Sequence, residues 1–285
     1  MAANNAVATK AELISGMVQK ELTESASLLG LITDLSPLAT KGYDSISIPK
    51  MSQFTTQDRA FGQKAVENAP LVDSKDTLPL DKNKIVIWGY DDADAMQSSI
   101  NWQIESAKRA STAHGRTING DVVAGLIAGT GLNLASVVDI TSDNILDMRK
   151  FLIQNFADMT NAVFLVAADQ EKAMLLLPEF SRYDYNGKGA FIDGIIGHVY
   201  GVPVVINQYV PAGQAIMFEK SGFAFAFQKA PKYGEQPELD YGTDGKKAVV
   251  DCLYGVAPMQ TGEGVKLDNV TPVDPARSPY IAVLS

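Results

Sequence analysis

The sequence predicts an α+β fold, and three stretches with different hydrophobic patterns lead to that prediction. Residues 91–129 place apolar side chains three and four positions apart, which is the period of an amphipathic helix. Residues 43–48 alternate polar and apolar side chains, as a half-buried strand does. Residues 162–168 form a continuous apolar run, which is typical of a strand buried on both faces. A long helix, separate extended segments and a small helix–strand–helix unit therefore make up the predicted fold.

The N-terminal segment is amphipathic after a small, polar start at residues 1–8. Thr9 and Glu12 have the spacing of a capping box, so a helix is expected to begin near Thr9. Apolar residues recur up to Leu35, and the pattern ends at Pro37. Two interpretations remain open for this segment: an arm that docks on another surface, or an ordinary packed N-terminal helix.

A long polar connection separates the first strand from the next extended run. Pro49 is expected to end the strand of residues 43–48, and a second extended run is expected at residues 77–88. The residues between them carry few apolar side chains and charges of both signs. Connections of this length are usually functional or disordered. This one is either a projecting hairpin that contacts a neighbouring chain or a surface loop.

The long helical stretch is expected to begin at Asp91, which can cap the first turn. Asp92 and Asp94 follow at positions where the helix dipole favours negative charge. These three acids could also bind a cation, but the dipole already explains their positions. A continuous helix of about 37 residues would be roughly 55 Å long. Gly115 and Gly120 are expected to bend or break it near its C-terminal end.

The second half of the chain is expected to contain an α/β unit followed by strands. A helix capped by Ser142 or Asp143 precedes the buried strand of residues 162–168, and Asp169 caps a short helix that ends at Leu177. The remaining expectations are a strand at 197–207, a hairpin of 214–218 and 223–228 turned by residues 219–222, a loop at 229–245, a last buried strand at 248–256 and an irregular tail at 269–285.

The overall composition argues against several classes of protein. The net charge of −9 disfavours tight binding to a nucleic-acid backbone, which requires clustered Lys and Arg. The single cysteine, Cys252, excludes an intrachain disulfide and a metal site of several cysteines. The first residues show no secretory signal pattern, and no apolar stretch of about 18 residues predicts a membrane span. We therefore expect neither a membrane partner nor tight binding to a nucleic-acid backbone.

The sequence contains no catalytic, cofactor-binding or metal-binding constellation that we would defend. His114 lies in the long helix and His198 in an apolar strand, and neither has a second ligand at metal-binding spacing. Cys252 lies in an apolar strand, so we interpret it as buried packing and not as a nucleophile. Neither a GxSxG serine motif nor a GxxxxGK[ST] phosphate loop occurs. We therefore predict no enzyme activity, no catalytic residue, no metal and no cofactor.

A motif in the C-terminal half resembles a known structural family. Residues 194–227 read GIIGHVYGVPVVINQYVPAGQAIMFEKSGFAFAF, in which a strand with glycine and proline precedes a Pro-x-Gly turn. This segment resembles the C-terminal part of the major capsid proteins of tailed bacteriophages, which have the Hong Kong 97-like capsid fold. The residues that carry the resemblance are Gly197, Val199, Gly201, Pro203, Val204, Pro211 and Gly213.

The order of the parts along the chain extends this resemblance to nearly the whole sequence. The resemblance implies an N-terminal arm, an extended β-hairpin loop, a peripheral domain with a long spine helix, and an α/β axial domain. The corresponding boundaries are 1–42 for the arm, 43–89 for the extended loop, 90–135 and 245–268 for the peripheral domain, 136–244 for the axial domain and 269–285 for the C-terminal tail.

The resemblance also implies a structural role, namely a subunit that self-assembles into hexamers and pentamers of an icosahedral phage head around double-stranded DNA. The implied partners are other copies of the chain, a separate scaffolding protein, a portal protein and packaged DNA held without sequence specificity. The implied location is the virion, assembled in the host cytoplasm. No crosslink is predicted at Lys64, because no partner asparagine or catalytic acid can be matched. The candidate contacts between subunits lie near the hairpin tip, at Phe54, Arg59, Phe61 and Lys64.

Two other functions remain as alternatives. An encapsulin-like compartment would keep the fold and enclose an enzyme, but it needs a cargo-binding groove that the sequence does not reveal. A soluble α/β enzyme would use residues 136–228. The missing nucleophile, metal ligands and phosphate loop count against the enzyme.

Overall fold

The computed structural model divides the chain into two compact units, each assembled from segments far apart in the sequence. Unit 1 comprises Met1–Ser45, Pro79–Gly125 and Ala224–Val256, and unit 2 comprises Ile46–Leu78, Leu126–Phe223 and Ala257–Ser285. The structure describes residues 12–22, 27–51, 58, 60–64, 73–91, 102–134, 139–155, 157–177, 195–238, 240, 245–259 and 278–284.

Unit 1 contains two helices that contribute to one apolar cluster. Helix α1 covers residues 12–22, and helix α2 begins at Trp102 and ends at Ala128. The hydroxyl of Ser111 in α2 donates a hydrogen bond of 2.5 Å to the carbonyl of Val18, which ties the two helices together. The buried residues of the cluster are Ile14, Val18, Ala107, Ala110, Tyr233, Ala248 and Val250.

A four-stranded sheet supplies the other side of that cluster. Its strands are β1 (Thr33–Asp34), β4 (Lys82–Tyr90), β10 (Phe223–Pro237) and β11 (Lys246–Pro258), in the order β1-β10-β11-β4. Strand β11 pairs antiparallel with β4, from Lys246 opposite Tyr90 to Tyr254 opposite Lys82. Alternate residues of β11 are fully buried beneath the helices, as the strand period requires: Ala248, Val250, Cys252 and Tyr254.

Helix α2 is unbroken through Gly115 and Gly120, so the break expected near its C-terminal end is wrong. Each glycine costs about 1 kcal/mol relative to alanine in a helix. Tertiary packing offsets that cost, because Ile118, Val122 and Leu126 are fully buried on the following turns. The expected first part of the helix, residues 92–101, lies outside the described residues, as does the expected start at Thr9 of the N-terminal helix.

Strands β2 (Ser45–Met51) and β3 (Asp73–Pro79) form a separate two-stranded ribbon. Pro49 lies inside β2, so the prediction that it ends the strand is wrong. A strand with a partner on one side only tolerates proline, because the missing N–H can face outward. The extended run expected at residues 77–88 is two strands, since the chain leaves β3 after Pro79 and enters β4 at Lys82.

Unit 2 is built on a six-stranded sheet in the order β5-β12-β9-β6-β8-β7. Its central strand β6 (Ala162–Ala167) is buried at every residue, as the apolar run predicted. Two helices, α3 (Ser142–Gln154) and α4 (Glu171–Leu176), flank β6 in the sequence. The other strands are β5 (Thr130–Leu134), β7 (Ile195–Val199), β8 (Val202–Asn207), β9 (Ala215–Glu219) and β12 (Ser278–Leu284).

Three sequence predictions about the C-terminal half are wrong. The segments 214–218 and 223–228 are not a hairpin, because β9 pairs with β6 and β12 whereas β10 belongs to the four-stranded sheet. The loop expected at 229–245 is a continuation of β10 as far as Pro237, in which the buried Pro231 and Tyr233 alternate with the exposed Lys232. The tail is not irregular throughout, because β12 fills the space between β5 and β9.

Three boundaries in unit 2 also differ from the predictions. Asp169 does not cap α4, because Gln170 is at its N-cap and the Asp169 carboxylate accepts from the N–H of Gly213 at 2.9 Å. Helix α3 is capped by Thr141 and not by Ser142 or Asp143, because the Thr141 hydroxyl and the Asn144 side chain bond reciprocally to each other's backbone N–H groups. The single strand expected at 197–207 is two strands, β7 and β8. Tyr200 and Gly201 turn the chain between them with φ angles of 50° and 83°.

Candidate subunit-contact surfaces

The described part of the extended loop presents two of the four candidate contact residues to solvent. Phe61 is fully exposed at 110%, and Lys64 is also exposed. The backbone turns beside Phe61, where Gly62 has a φ of 86° and the N–H of Gln63 donates to the carbonyl of Ala60 at 3.2 Å. An apolar ring in this position remains in contact with water unless another surface covers it. Phe54 and Arg59 lie outside the described residues.

A second exposed apolar surface lies on the four-stranded sheet. Ile85 and Ile87 of β4 are 58% and 53% exposed, whereas their neighbours on the other face of the strand are partly buried. Their partners on β11, Asp251 and Val249, are half-buried. Within the described part of the chain β4 is an edge strand, so its outer backbone groups are also available. We call this surface, made by Ile85, Ile87, Val249 and Leu253, the outer sheet face.

The opposite face of the same sheet carries a polar junction centred on Glu235. One carboxylate oxygen of Glu235 accepts hydrogen bonds from the Tyr233 hydroxyl at 2.7 Å and the Tyr90 hydroxyl at 3.1 Å, and also from the Gln103 amide. The other oxygen lies 3.2 Å from the ammonium of Lys246. The junction therefore connects the first turn of α2 to strands β4, β10 and β11.

The electrostatics of this junction favour a charged carboxylate. Burial alone would raise the pKa of Glu235, but the hydrogen bonds from Tyr233 and Lys246 outweigh burial and hold the pKa below its ordinary value. Burial raises the pKa of Tyr90 to about 12, and burial together with the bond to Glu235 raises the pKa of Tyr233. The two tyrosines thus remain neutral donors to a negative acceptor.

A second junction lies further along α2. Asp121 accepts a hydrogen bond of 2.5 Å from the Tyr254 hydroxyl and lies 3.8 and 3.7 Å from the ammonium groups of Lys82 and Lys84. Burial raises the pKa of Tyr254, so this hydroxyl is also a neutral donor. Both junctions fix α2 on the sheet.

The histidines and the cysteine do not form a reactive site. One ring nitrogen of His114 lies 3.1 Å from the carbonyl of Val250, and the other lies 3.6 Å from the sulfur of Cys252. Burial raises the pKa of Cys252 to about 11, so the thiol is protonated at neutral pH and is a poor nucleophile. His198 is exposed on β7. Among the described residues, no group of three or more His, Cys, Asp or Glu is arranged to hold a metal ion.

Sequence reasoning missed both junctions and the outer sheet face. Gln103 and Tyr233 are 130 positions apart, and Tyr90 and Glu235 are 145 positions apart, so no local pattern could connect them. The apolar run of Ile85, Val86 and Ile87 predicts an extended segment but does not show which face of the strand is covered. No helix in the described part of the chain is both long enough and apolar enough to cross a membrane.

Similar structures have the same fold at low sequence identity. A structure of Mycobacterium phage Che8 covers 89% of this chain and 89% of its own, with a TM-score of 0.66 and 18% identity. The capsid structure of Cyanophage P-SCSP1u covers 89% of this chain and 86% of its own, with a TM-score of 0.67 and 12% identity. A virus-like particle from Pyrococcus furiosus covers 96% of this chain and 98% of its own, with a TM-score of 0.59 and 11% identity.

These likenesses confirm the Hong Kong 97-like capsid fold that the sequence predicted. No curated protein matches the chain. The family model described as "Phage capsid protein" matches residues 87–267, which is more than half of the chain. The chain therefore belongs to the phage capsid protein family, and it is a structural shell subunit of a phage head.

Proposed function

We propose that the subunit assembles into hexameric and pentameric capsomers of an icosahedral head that encloses double-stranded DNA. Assembly takes place in the host cytoplasm with a separate scaffolding protein and a portal protein. The net charge of −9 supports a container that does not bind its DNA tightly, because strong binding to the DNA backbone needs a basic surface. Membership of the phage capsid protein family supports the structural role and gives no reason to invoke catalysis.

We further infer how the chain divides among the roles of a shell subunit. Residues 1–42 act as an arm, 43–89 as an extended loop, and 136–244 as an axial domain. Residues 90–135 with 245–268 form a peripheral domain, and 269–285 form a tail. The ribbon of β2 and β3 supports the loop assignment, and the uninterrupted helix α2 supports a spine in the peripheral region.

The exposure of Phe61 is the observation that carries the proposed role of the loop. A two-stranded ribbon is marginally stable alone. An aromatic ring held fully in water at its turn adds nothing to the fold of its own subunit. Burying that ring against a neighbouring copy would contribute about 1.5–3 kcal/mol to each contact. Phe54, Arg59 and Lys64 are proposed as contacts of the same tip.

Deletion of residues 52–74 tests the proposal most directly. The deletion removes the tip and the first two residues of β3, and it leaves every residue of the four-stranded sheet, the six-stranded sheet and the described helices in place. We expect the variant to remain folded by circular dichroism but to yield no stable shells in electron micrographs. Normal, stable shells from this variant would contradict the proposed role of the loop.

A single substitution sharpens that test. Phe61→Ala should weaken association about tenfold to a hundredfold for each contact, since about 1.4 kcal/mol corresponds to a factor of ten. Tyr43→Ala is a matched control, because Tyr43 is a described aromatic residue that is also exposed, at 69%. Assembly followed by light scattering should be slowed by the first substitution and not by the second. Equal effects of the two would indicate a general loss of surface hydrophobicity.

The encapsulin-like alternative keeps the same fold and differs in what the particle encloses. The contents of purified particles separate the two functions. Double-stranded DNA recovered from nuclease-treated particles supports a phage head. A single enriched enzyme in place of DNA would support a compartment.

A further inference from the structure

The chain leaves unit 1 to form the extended loop and returns to it at one place. It passes out of unit 1 after Ser45 and re-enters at Pro79. Beside these two positions, the N–H of Leu80 donates a hydrogen bond of 2.8 Å to the carbonyl of Asp44. The outgoing and returning segments are therefore joined through their backbones. We call Tyr43, Asp44, Pro79 and Leu80 the loop root.

Strand β10 holds the outgoing side of the loop root. The N–H of Phe227 donates a hydrogen bond of 3.0 Å to the hydroxyl of Ser36, which ties the approaching chain to this strand. At the next position, the side-chain amide of Gln228 donates hydrogen bonds of 3.0 Å and 2.6 Å to the carbonyls of Thr40 and Tyr43. A primary amide can donate to two carbonyls at once, so this single side chain fixes the backbone on which the loop begins.

Strand β11 meets the returning side of the loop root at Gly255. The pairing of β11 with β4 ends at Tyr254 opposite Lys82, so Gly255 is the next position along β11. A Cβ atom on Gly255 would overlap the carbonyl oxygen of Pro79, and it would lie 2.9 Å from the carbonyl carbon of Pro79 and 3.2 Å from the Cα of Leu80. These atoms belong to the backbone, so no side-chain rotation relieves the overlap. A larger residue at this position must therefore displace the loop root.

Close approach of another backbone is the reason for glycine at position 255. Glycine weakens a strand unless such an approach requires it. Gly255 is not one of the glycines with a φ in the left-handed region, so its backbone conformation does not demand glycine. Gly234 on β10 differs, because a Cβ atom there would make an ordinary contact of 3.5 Å with a methyl group of Val249. The two glycines of one sheet therefore form a matched pair for substitution.

We propose that Gly255 and Gln228 are positioning residues for assembly, which together set the direction in which the extended loop leaves its subunit. The inference rests on the proposed function, in which the loop tip contacts a neighbouring copy. A rotation of about 10° at the root moves the far end of a seven-residue strand such as β3, roughly 23 Å long, by about 4 Å. A loop directed by its root also meets its neighbour without the entropic cost of ordering a freely rotating segment.

Gly255→Ala tests the positioning role, with Gly234→Ala as the matched control. Gly255→Ala should slow assembly severalfold, followed by light scattering, because the displaced root turns the tip away from its contact. It should also accelerate hydrogen exchange of the Leu80 amide, whose acceptor on Asp44 moves with the root. Gly234→Ala should change neither measurement. Assembly of Gly255→Ala at the rate of the parent chain would overturn the proposal.

A direct measurement of loop direction separates positioning from a general loss of stability. Spin labels on Lys75→Cys in β3 and Arg116→Cys in α2 occupy exposed positions, and the native Cys252 is buried. The parent chain should give one narrow distribution of distances between the labels, and Gly255→Ala should shift or broaden it. Tyr254→Phe weakens the adjacent position of β11 without adding an atom at the root, so it should leave the distribution unchanged. A broad distribution in the parent, or an unaltered one in Gly255→Ala, would overturn the proposal.

Gln228→Ala decides the question if Gly255→Ala fails to fold. It removes both hydrogen bonds to the outgoing side of the root and introduces no overlap. Gln236→Ala, at an exposed position of the same strand, is its control. Gln228→Ala should broaden the distance distribution and slow assembly severalfold, and Gln236→Ala should do neither. Equal behaviour of the two variants would overturn the proposal.

The deletion of residues 52–74 distinguishes failure of this inference from failure of the proposed function. Normal shells from the deletion variant would remove the role of the loop itself and the positioning role with it. If the deletion abolishes shells while Gly255→Ala and Gln228→Ala assemble like the parent chain, the role of the loop stands and the positioning role is overturned.

Discussion

In each unit a helix packs on a sheet, but the two helix–sheet interfaces bury different kinds of side chain. In unit 1, the residues of α2 buried in its first half are small or polar, namely Gln103, Ala107, Ala110, Ser111 and His114. In unit 2, α3 covers its sheet with large apolar side chains, namely Ile145, Met148, Phe151 and Leu152. Close packing of apolar side chains stabilises strongly but tolerates many arrangements, whereas hydrogen bonds hold one arrangement.

The comparison indicates where each unit derives its stability. Alanine side chains bury little apolar surface, so the first half of α2 depends on the Glu235 junction for its position. The second half of α2 resembles the interface of unit 2, because Ile118, Val122 and Leu126 are fully buried. We therefore expect apolar truncations to cost most in unit 2 and polar substitutions to act locally in unit 1.

The largest effect is expected from Phe164→Ala in β6. Phe164 is 1% exposed and belongs to the apolar cluster of unit 2, so its truncation should lower the free energy of unfolding by about 3–5 kcal/mol. Urea denaturation of the unassembled subunit measures the change. Phe164→Leu retains most of the volume and should cost less than about 1.5 kcal/mol. A small loss of stability in the alanine variant would contradict the expectation that apolar truncations cost more free energy in unit 2 than in unit 1.

Glu235→Gln should have the next largest effect on the free energy of unfolding. It should also remove the part of the pH dependence of that free energy that is due to this carboxylate. The substitution removes the charge that four donors share, at a cost of about 1–3 kcal/mol. Because the folded pKa of Glu235 is lowered from 4.5, its contribution is present above about pH 4.5 and is lost as the pH falls through the folded value. Urea midpoints measured across this acidic range should converge for the two proteins at low pH.

Hydrogen exchange locates the effect of Glu235→Gln. Exchange should accelerate for the first turns of α2 and for the paired ends of β4 and β11, and it should remain unchanged in α3. A uniform acceleration through both units would contradict a local junction and would indicate that the carboxylate supports the whole fold.

Tyr254→Phe should have a smaller effect than Glu235→Gln. The substitution removes the hydroxyl that donates to Asp121, but Lys82 and Lys84 still face the same carboxylate. We expect a loss of about 0.5–1.5 kcal/mol, measured by urea denaturation. A loss as large as that of Phe164→Ala would show that polar contacts in unit 1 contribute as much as the apolar core of unit 2, and the comparison would fail.

The sequence predicted the parts of this molecule that depend on local patterns. The helical period placed α2, and the unbroken apolar run placed β6, because burial on one side or on both leaves a periodic signature. Strand β12 was missed because the prolines of the tail, including Pro279 inside the strand, outweighed the short apolar run that is buried between β5 and β9. The junction at Glu235 was missed because its partners meet only after the sheet has formed.

The candidate contact surfaces were predictable to different degrees. The charged, apolar-poor stretch around Phe61 indicated a projecting loop, and the fully exposed Phe61 ring lies in the part of it that the structure describes. The outer sheet face could not be found from sequence. Ile85 looks like an ordinary core residue until the structure shows which face of β4 is already occupied.

The smallest effect is expected when the folded subunit is treated with a reagent that modifies the thiol of Cys252. The thiol is fully buried on the inner face of the unit 1 sheet beside His114, and burial raises its pKa to about 11. A thiol reagent at neutral pH should therefore leave Cys252 unmodified in the folded subunit and modify it fully in denaturant. The variant Leu176→Cys, with its exposed thiol, should react promptly under the same conditions and serves as the control. Rapid modification of the native thiol would show that the small side chains of α2 allow the helix to separate from the sheet. The hydrogen-bonded interface of unit 1 would then be both more mobile and less stable than the apolar interface of unit 2.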